Sequence, residues 1–326
     1  MKKLKLKVAL SHYDRHIPFF DGNLPVPDNI ELTALQVGQS VPLRDGGDRH
    51  ERMIGHSEFD VCELSLSSYL MTQSRRMPFT AVPVFPRRLF SPSQMYVNVS
   101  SGIEKPEDLI GRKVGLSSFQ TTLSVLAKGD LKWEYGVPWE KIRWFLNREE
   151  TVGFTPKEGT FLQKIGEGKK IGRMLEEGEI DALFMPHPPK SVTQGSDRVR
   201  RLFRNPREEE LKYYRKNGFY PIMHIVALKK DLVEKEPWVP RAVMDLFEEA
   251  KKIVSQYYDD PNWSYLAWGR HFYEEQRELL GKDLWPFGVS KNRKNLERFM
   301  EYSLDQGLID RKMAVDDLFT ESVLNT

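Results

Sequence analysis

Two turns rich in serine and threonine, and a few isolated acid–base side chains, are the parts of this sequence that could do chemistry. In FDVCELSLSSYL (residues 59–70) an apolar run passes through a small polar turn straight into a predicted helix. Ser67 and Ser68 could present hydroxyls, and the free N–H groups of a helix start, to an anion. GLSSFQTTLSVL (115–126) repeats the arrangement with Ser118, Thr121 and Thr122. Helix capping is the plainer role for each of these side chains, and a cap can still leave N–H groups for a ligand. Glu63, just before the first turn, could position a proton or pair with an arginine.

His224 lies among Ile222, Met223, Ile225 and Val226. A lone histidine in an apolar strand is usually structural, but with an ordinary pKa near 6.5 it can also donate a proton at neutral pH. His187 stands between Pro186 and Pro188, whose fixed backbone could hold the imidazole in place; an exposed turn residue is the plain alternative. His12 and His16 flank Tyr13, Asp14 and Arg15, a cluster that could touch a ligand or merely close a strand. Arg15, Arg87 and Arg88 carry the planar donor fork that matches a carboxylate. Arg88 follows the apolar PVFP and is the better candidate of the adjacent pair.

Other chemistries lack their signatures. The sequence has no HExxH, no His-x-His, no acidic calcium loop, no dinucleotide fingerprint, no Walker segment and no GxSxG elbow. The single cysteine, Cys62, excludes an internal disulfide and a thiolate-rich metal site, and its apolar setting predicts a buried, inert thiol. No cofactor is expected, although seven histidines and abundant acids leave a divalent metal open.

The 326 residues are enough for two domains, and 49 basic against 47 acidic side chains leave a net charge of +2, which gives no nucleic-acid footprint. Basic clusters at 2–7 and 198–204 read as solvated faces. The start MKKLKLKVAL runs directly into Ser, His, Asp and Arg, with neither a signal-like apolar region nor a membrane span after it. A cytoplasmic location is therefore expected, or a periplasmic one if a leader has been removed.

The elements that must position these residues alternate. Strands are predicted at 4–10, 30–37, 59–64, 95–99, 142–146, 180–185 and 222–228, with a bent or edge strand at 79–85 because of Pro83. Helices are predicted within 45–57 and at 66–74, 120–135, 171–177, 208–216, 239–257, 262–280 and 291–306. Residues 151–168, with their glycines and prolines, read as an excursion. The alternation gives an α/β class.

The motifs YDR, FDVCELSLSSYL, PVFPRRLF, MYVNVSSGI, EDLIGRKVGL, EYGV, IDALFMPHPP, YPIMHIVALKKDLVEKEPW and WPFGVSKNR span most of the chain. On them the chain resembles the 4,5-dihydroxyphthalate decarboxylase family, related in fold to type II periplasmic solute-binding proteins. The resemblance implies a two-lobed α/β fold with two crossover strands and a central cleft. Lobe one would hold 1–95 and 222–326, and lobe two 96–221, with the crossovers near 91–99 and 220–228. It implies cofactor-free decarboxylation of a hydroxylated aromatic carboxylate, 4,5-dihydroxyphthalate being the family's named substrate. His224 would be the acid, His187 and Glu63 its assistants, and Asp14, Arg15, Arg88 and the Ser/Thr turns the substrate contacts. A non-catalytic solute-binding protein, or a cytoplasmic sensor for a small organic anion, is the alternative on the same architecture. The expected partner is a small aromatic or organic acid, not a nucleic acid or a membrane; a homodimer is compatible with the sequence.

Overall fold

The computed structural model describes residues 3–38 and 47–326. Among the described residues the strands are β1 (Leu4–Leu10), β2 (Ile30–Gln36), β3 (Val61–Ser65), β4 (Phe79–Val82), β5 (Met95–Asn98), β6 (Lys113–Leu116), β7 (Arg143–Leu146), β8 (Leu162–Lys164), β9 (Ala182–Phe184), β10 (Val199–Arg201) and β11 (His224–Lys229). The α-helices are α1 (Pro18–Asp21), α2 (Arg49–His56), α3 (Leu66–Ser74), α4 (Thr122–Tyr135), α5 (Ile171–Glu176), α6 (Lys190–Thr193), α7 (Pro206–Asn217), α8 (Lys230–Lys235), α9 (Val239–Tyr257), α10 (Gly269–Leu280) and α11 (Val289–Asp305). The chain forms two compact units, Met1–Arg88 with His224–Leu296 and Met313–Thr326, and Leu89–Met223 with Glu297–Lys312.

The first unit is built on a five-stranded mixed sheet in the order β2-β1-β3-β11-β4. β1 runs parallel to β2 and β3, whereas β11 runs antiparallel to β3 and β4. The central strand β3, VCELS, is buried along its whole length, as a strand covered on both faces must be. Glu63 is the one charged residue in it, which makes its partners decisive. α9 presents Val243, Leu246, Phe247, Ala250 and Val254 on one face, all buried, at the three- and four-residue spacing of an amphipathic helix. Each of these side chains except Ala250 contributes about 1.5–3 kcal/mol on full burial. The Pro83 prediction holds: β4 is short and lies at the sheet edge.

The second unit carries a six-stranded sheet in the order β10-β5-β9-β6-β7-β8. β6, β7, β8 and β9 run parallel, and β5 is antiparallel to β9 and β10. Its core includes Tyr96, Ile171, Leu175, Ile180 and Leu183. α4 contains Gly129 in its interior, where glycine costs helix stability. Tyr302 supplies the reason: a Cβ at residue 129 would lie only 2.1 Å from Cδ2 of the Tyr302 ring.

Several expectations need correction. The 151–168 excursion contains the edge strand β8, paired to β7. It is also pinned to the turn before α4, by Phe154 stacked on Phe119 and by the Gln120 side chain, which bonds both the N–H and the carbonyl of Val152. α10 begins at Gly269 rather than 262. Asp260 accepts from the N–H of Asn262 at 2.9 Å and Ser264 Oγ from that of Leu266 at 3.2 Å, so side chains divert the backbone into turns. The basic run at 198–204 includes β10, and Arg200 bonds the carbonyl of Ile103 at 2.6 Å instead of lying free in solvent. Of the helix predicted within 45–57, residues 45 and 46 lie outside the described residues.

Candidate functional site

A buried ion cluster forms where β1 and β3 end and β11 begins. Open α/β sheets place ligands at the carboxyl ends of their strands, so this is where chemistry is expected. Glu63 pairs across the ladder with Val226, and Ser65 with His224. The period of two puts Glu63, Ser65, Val226 and His224 on one face of the sheet. From there Glu63 Oε1 meets His224 Nδ1, and Glu63 Oε2 accepts the N–H of Ser11 at 2.8 Å.

Arg49 completes the charge balance. Its Nη2 lies 3.1 Å from Glu63 Oε1, its Nε donates to the Glu63 carbonyl at 2.8 Å, and its Nη1 donates to the Val37 carbonyl at 3.2 Å. Burial opposes ionisation of Glu63, yet Arg49 and His224 hold its carboxyl well below the ordinary range. Burial also dominates at His224, lowering it to about 4 against the pull of Glu63. At neutral pH the imidazole is therefore uncharged. An ionised carboxylate can only accept, so Nδ1 carries the hydrogen and donates to Glu63. Arg49 Nη2, 3.3 Å from the same nitrogen, is then a neighbour and not a donor to it. Nε2 is left as a bare acceptor with no partner among the described residues.

Two further histidines frame the pair. His50 Nδ1 accepts the N–H of Ser65 at 3.2 Å, so a neutral His50 carries its hydrogen on Nε2. The His50 and His224 rings meet edge to face, 5.4 Å apart. His16 Nδ1 bonds the Ser11 carbonyl at 2.7 Å, and burial pushes this imidazole down to about 4. The Ser11 peptide thus joins His16, through its carbonyl, to Glu63, through its N–H.

Of the predicted residues, Glu63 and His224 come together as a pair. Ser67 and Ser68 are buried in the first turn of α3, where the Ser68 N–H meets the cap Ser65 Oγ at 3.4 Å. Arg15 lies between the rings of Tyr13 and Trp285, at 4.2 and 4.1 Å, with Asp14 3.1 Å from its Nη1. Arg88 spends Nη2 on Asn292 Oδ1 and the Pro286 carbonyl, at 2.7 and 3.0 Å, which braces the start of α11. His187 is exposed in the second unit, after β9.

The second predicted anion turn holds an anion supplied by the chain itself. The N–H groups of Phe119 and Gln120 donate to the Glu150 carboxylate at 2.6 and 3.0 Å. Thr121 Oγ1 meets Ser124 Oγ at 2.6 Å and the Ser118 carbonyl at 3.3 Å, and Thr122 begins α4. The carboxylate on this turn is that of Glu150. Cys62 is buried as expected, and burial raises its thiol far above the ordinary range.

Sequence reasoning missed Arg49 and His50. Arg49 precedes the buried Met53 by four residues and so shares its face of α2, a placement that the pattern did carry. Nothing in the spacing singles out His50. Among the described residues no group of three or more His, Cys, Asp or Glu side chains is placed to hold a metal ion, and no helix is long and apolar enough to cross a membrane.

No family model matches the chain. Over 337 aligned residues, covering all of this chain and 99% of its relative, it is 32% identical to a 4,5-dihydroxyphthalate decarboxylase of Comamonas testosteroni. Over 222 residues, 66% of this chain and 83% of the relative, it is 31% identical to a 4,5-dihydroxyphthalate decarboxylase of Pseudomonas putida. Among solved structures, the alkanesulfonate-binding protein SsuA of Xanthomonas axonopodis pv. citri, bound to MOPS, superposes with a TM-score of 0.57 at 12% identity, covering 98% of this chain and 99% of that one. Two mixed sheets flanked by helices, shared with such sulfonate-binding proteins, make this the type II periplasmic-binding-protein-like fold.

Proposed function

The chain belongs to the 4,5-dihydroxyphthalate decarboxylase family, and from that membership we propose that it decarboxylates a hydroxylated aromatic carboxylate by proton transfer through its own side chains, without a cofactor. Carboxy-lyase activity in general terms follows from the family; the substrate and the residue roles are the proposal. The observation that carries it is the buried Glu63–His224 pair, in which Glu63 holds Nδ1 and leaves Nε2 uncommitted.

In this proposal His224 takes the part of base, where the sequence reading gave it that of acid. Burial lowers its pKa to about 4, which favours a neutral imidazole able to accept a proton. Its Nε2 would take the proton of a ring hydroxyl para to the departing carboxylate. The phenolate then pushes electron density to the carbon bearing that carboxylate. This carbon takes a proton drawn from solvent, carbon dioxide leaves, and the ring regains aromaticity. The imidazolium, stabilised meanwhile by the Glu63 carboxylate, returns its proton to the phenolate oxygen. One proton is consumed per turnover. His50, whose ring meets that of His224 edge to face, is proposed to help hold the His224 ring in position. The Ser67–Ser68 turn, at the start of α3 beside the pair, is the proposed carboxylate contact.

The test is incubation with a panel of hydroxylated aromatic carboxylates, 4,5-dihydroxyphthalate first, read by mass spectrometry in parallel metal-depleted and metal-supplemented samples. Loss of carbon dioxide in both is expected. Binding without any loss of mass would replace the enzyme by an anion-binding protein, and full activity in His224→Ala would remove His224 from the mechanism.

A further inference from the structure

The first unit contains a cavity set apart from the Glu63–His224 pair. It lies among α9, α10 and the segment 282–287, and encloses about 340 Å³. That is within the range of small-ligand sites, roughly 300–1,000 Å³. None of Glu63, His224, Arg49 and His50 lines it.

Its walls are aromatic and its charge is positive. Phe272, Tyr273, Trp285 and Phe287 supply ring surface. Four basic side chains, Arg15, Lys251, Arg277 and Lys282, stand against two acidic ones, Asp14 and Asp283. Lys251 pairs with Asp283 at 2.5 Å and Arg15 with Asp14 at 3.1 Å, which cancels both acids. Arg277 donates only to the Tyr273 hydroxyl, at 2.9 Å, and Lys282 has no partner among the described residues. The excess of two positive charges thus resides on Arg277 and Lys282.

Arg15 is also built for more than its internal contacts. Its guanidinium is fixed between the Tyr13 and Trp285 rings. Nε is spent on the Pro86 carbonyl and Nη1 on Asp14, while Nη2 has no partner among the described residues. A fixed fork with an open edge loses little entropy on meeting a carboxylate. Meanwhile Phe272 remains 51% exposed and Leu266 59%, apolar surface that a ligand would cover.

We propose that this cavity binds an aromatic carboxylate, the ring against Phe272, Tyr273 and Trp285 and the carboxylate on Arg15, Arg277 and Lys282. The site goes beyond the decarboxylation reading and does not need turnover. It would admit substrate or product of that chemistry, since both are aromatic acids.

Titration calorimetry of the full chain with phthalate tests it, because phthalate lacks the ring hydroxyl that the proposed reaction requires. Cyclohexane-1,2-dicarboxylate is the control of equal charge without a π face. Phthalate is expected to bind, and the control to bind at least about tenfold more weakly. Phe272→Ala and Lys282→Met should each weaken phthalate by about fivefold, the scale of one aromatic or exposed charge contact. Ser255→Trp, at an exposed position on the cavity wall, should abolish binding by filling the space. Circular dichroism confirms that each variant is folded. His224→Ala should change the affinity less than about twofold, so this outcome is independent of the decarboxylation test. Absent phthalate binding, equal affinity for the control, unchanged affinity in Phe272→Ala and Lys282→Met, or binding lost in His224→Ala alone would each overturn the proposal.

Discussion

Glu63 and His224 stand diagonally across the β3–β11 ladder, one register step apart on the same face of the sheet, with the carboxylate of the first on Nδ1 of the second. The antiparallel pairing fixes this geometry. A one-residue slip of β11 would turn His224 to the opposite face and leave Glu63 with Arg49 and the Ser11 N–H. Both strands are buried around the pair, so the ladder and the packing on it hold the two side chains in register.

Replacing Glu63 by Gln separates two roles. The variant loses the charge that stabilises imidazolium, and kcat should fall at least roughly a hundredfold, the usual worth of positioned acid–base catalysis. It also leaves Arg49 buried without its counter-ion, which costs about 3–5 kcal/mol. The double variant Glu63→Gln with Arg49→Met should recover part of that stability but none of the activity. Chemical denaturation and single-turnover assays read the two effects, and recovered activity in the double variant would contradict the assignment of Glu63.

Acid should weaken the first unit through His16 and His224. Burial holds each at about 4 in the fold, below the ordinary 6.5. The unfolded chain binds the protons first, so their contribution is complete above pH 6.5 and is lost as pH falls toward 4. His16→Phe keeps the packing against Phe19 and Phe247 and gives up the bond to the Ser11 carbonyl, a loss of about 1 kcal/mol at pH 8. Its stability should fall less steeply between pH 6.5 and 4 than that of the parent. Parallel slopes in urea denaturation across that window would show that His16 titrates normally.

Much of the fold is legible because its strands and helices carry their own period. The 239–257 stripe of α9 and the 66–74 limits of α3 coincide with the sequence reading, and Gly136 ends α4 in the left-handed conformation that glycine allows. What local pattern cannot carry is pairing between distant segments. Glu63 and His224 are each visible as a polar residue in an apolar strand, but their contact depends on the register of strands 161 residues apart. Glu150 is invisible for the same reason: nothing near it in sequence says that its carboxylate will enter the turn at Phe119 and Gln120. Tyr302 on Gly129 is a third case, in which a helical glycine reads as a flaw until its partner is known.

Glu150 tests whether the 118–122 turn is a carboxylate site. Glu150→Ala leaves the N–H groups of Phe119 and Gln120 without their acceptor, at a cost of about 1–3 kcal/mol for each group that finds no substitute. Added acetate should return stability to the variant more than to the parent, because it can take the vacated position. Thermal melts with acetate and with chloride at equal ionic strength make the comparison. An equal response in both proteins would mean that the turn has no affinity for a free carboxylate.

Gly129→Ala should destabilise the second unit against the trend of helix propensity. In an open helix the change would gain about 1 kcal/mol. Here the new methyl meets the Tyr302 ring, and overpacking of that kind costs about 1–3 kcal/mol. Tyr302→Leu in the same background should relieve the clash and give back part of the loss. A neutral or stabilising Gly129→Ala would show that the ring moves aside at little cost.

Asp130, one residue on, should make the second unit less stable as pH rises. It is buried with Ser91 Oγ 2.5 Å from Oδ2 and the Tyr302 hydroxyl 3.1 Å from Oδ1. Burial raises it to about 7, and Glu134 adds to the rise, while the bonds from Ser91 and Tyr302 and the charge of Arg298 oppose it. The folded state keeps the proton after the unfolded chain has released it, so stability is highest below pH 3.8 with respect to this group and declines until pH 7. Asp130→Asn retains both partners, accepting from Tyr302 and donating to Ser91, without the buried charge. Its advantage over the parent should be small at pH 4, grow steadily to pH 7 and stay level above, reaching on the order of 4 kcal/mol at 1.36 kcal/mol per unit. Paired denaturation curves from pH 4 to pH 9 provide the measurement. A constant difference across that range would mean that Asp130 is ionised throughout, and that the bonds from Ser91 and Tyr302 outweigh its burial.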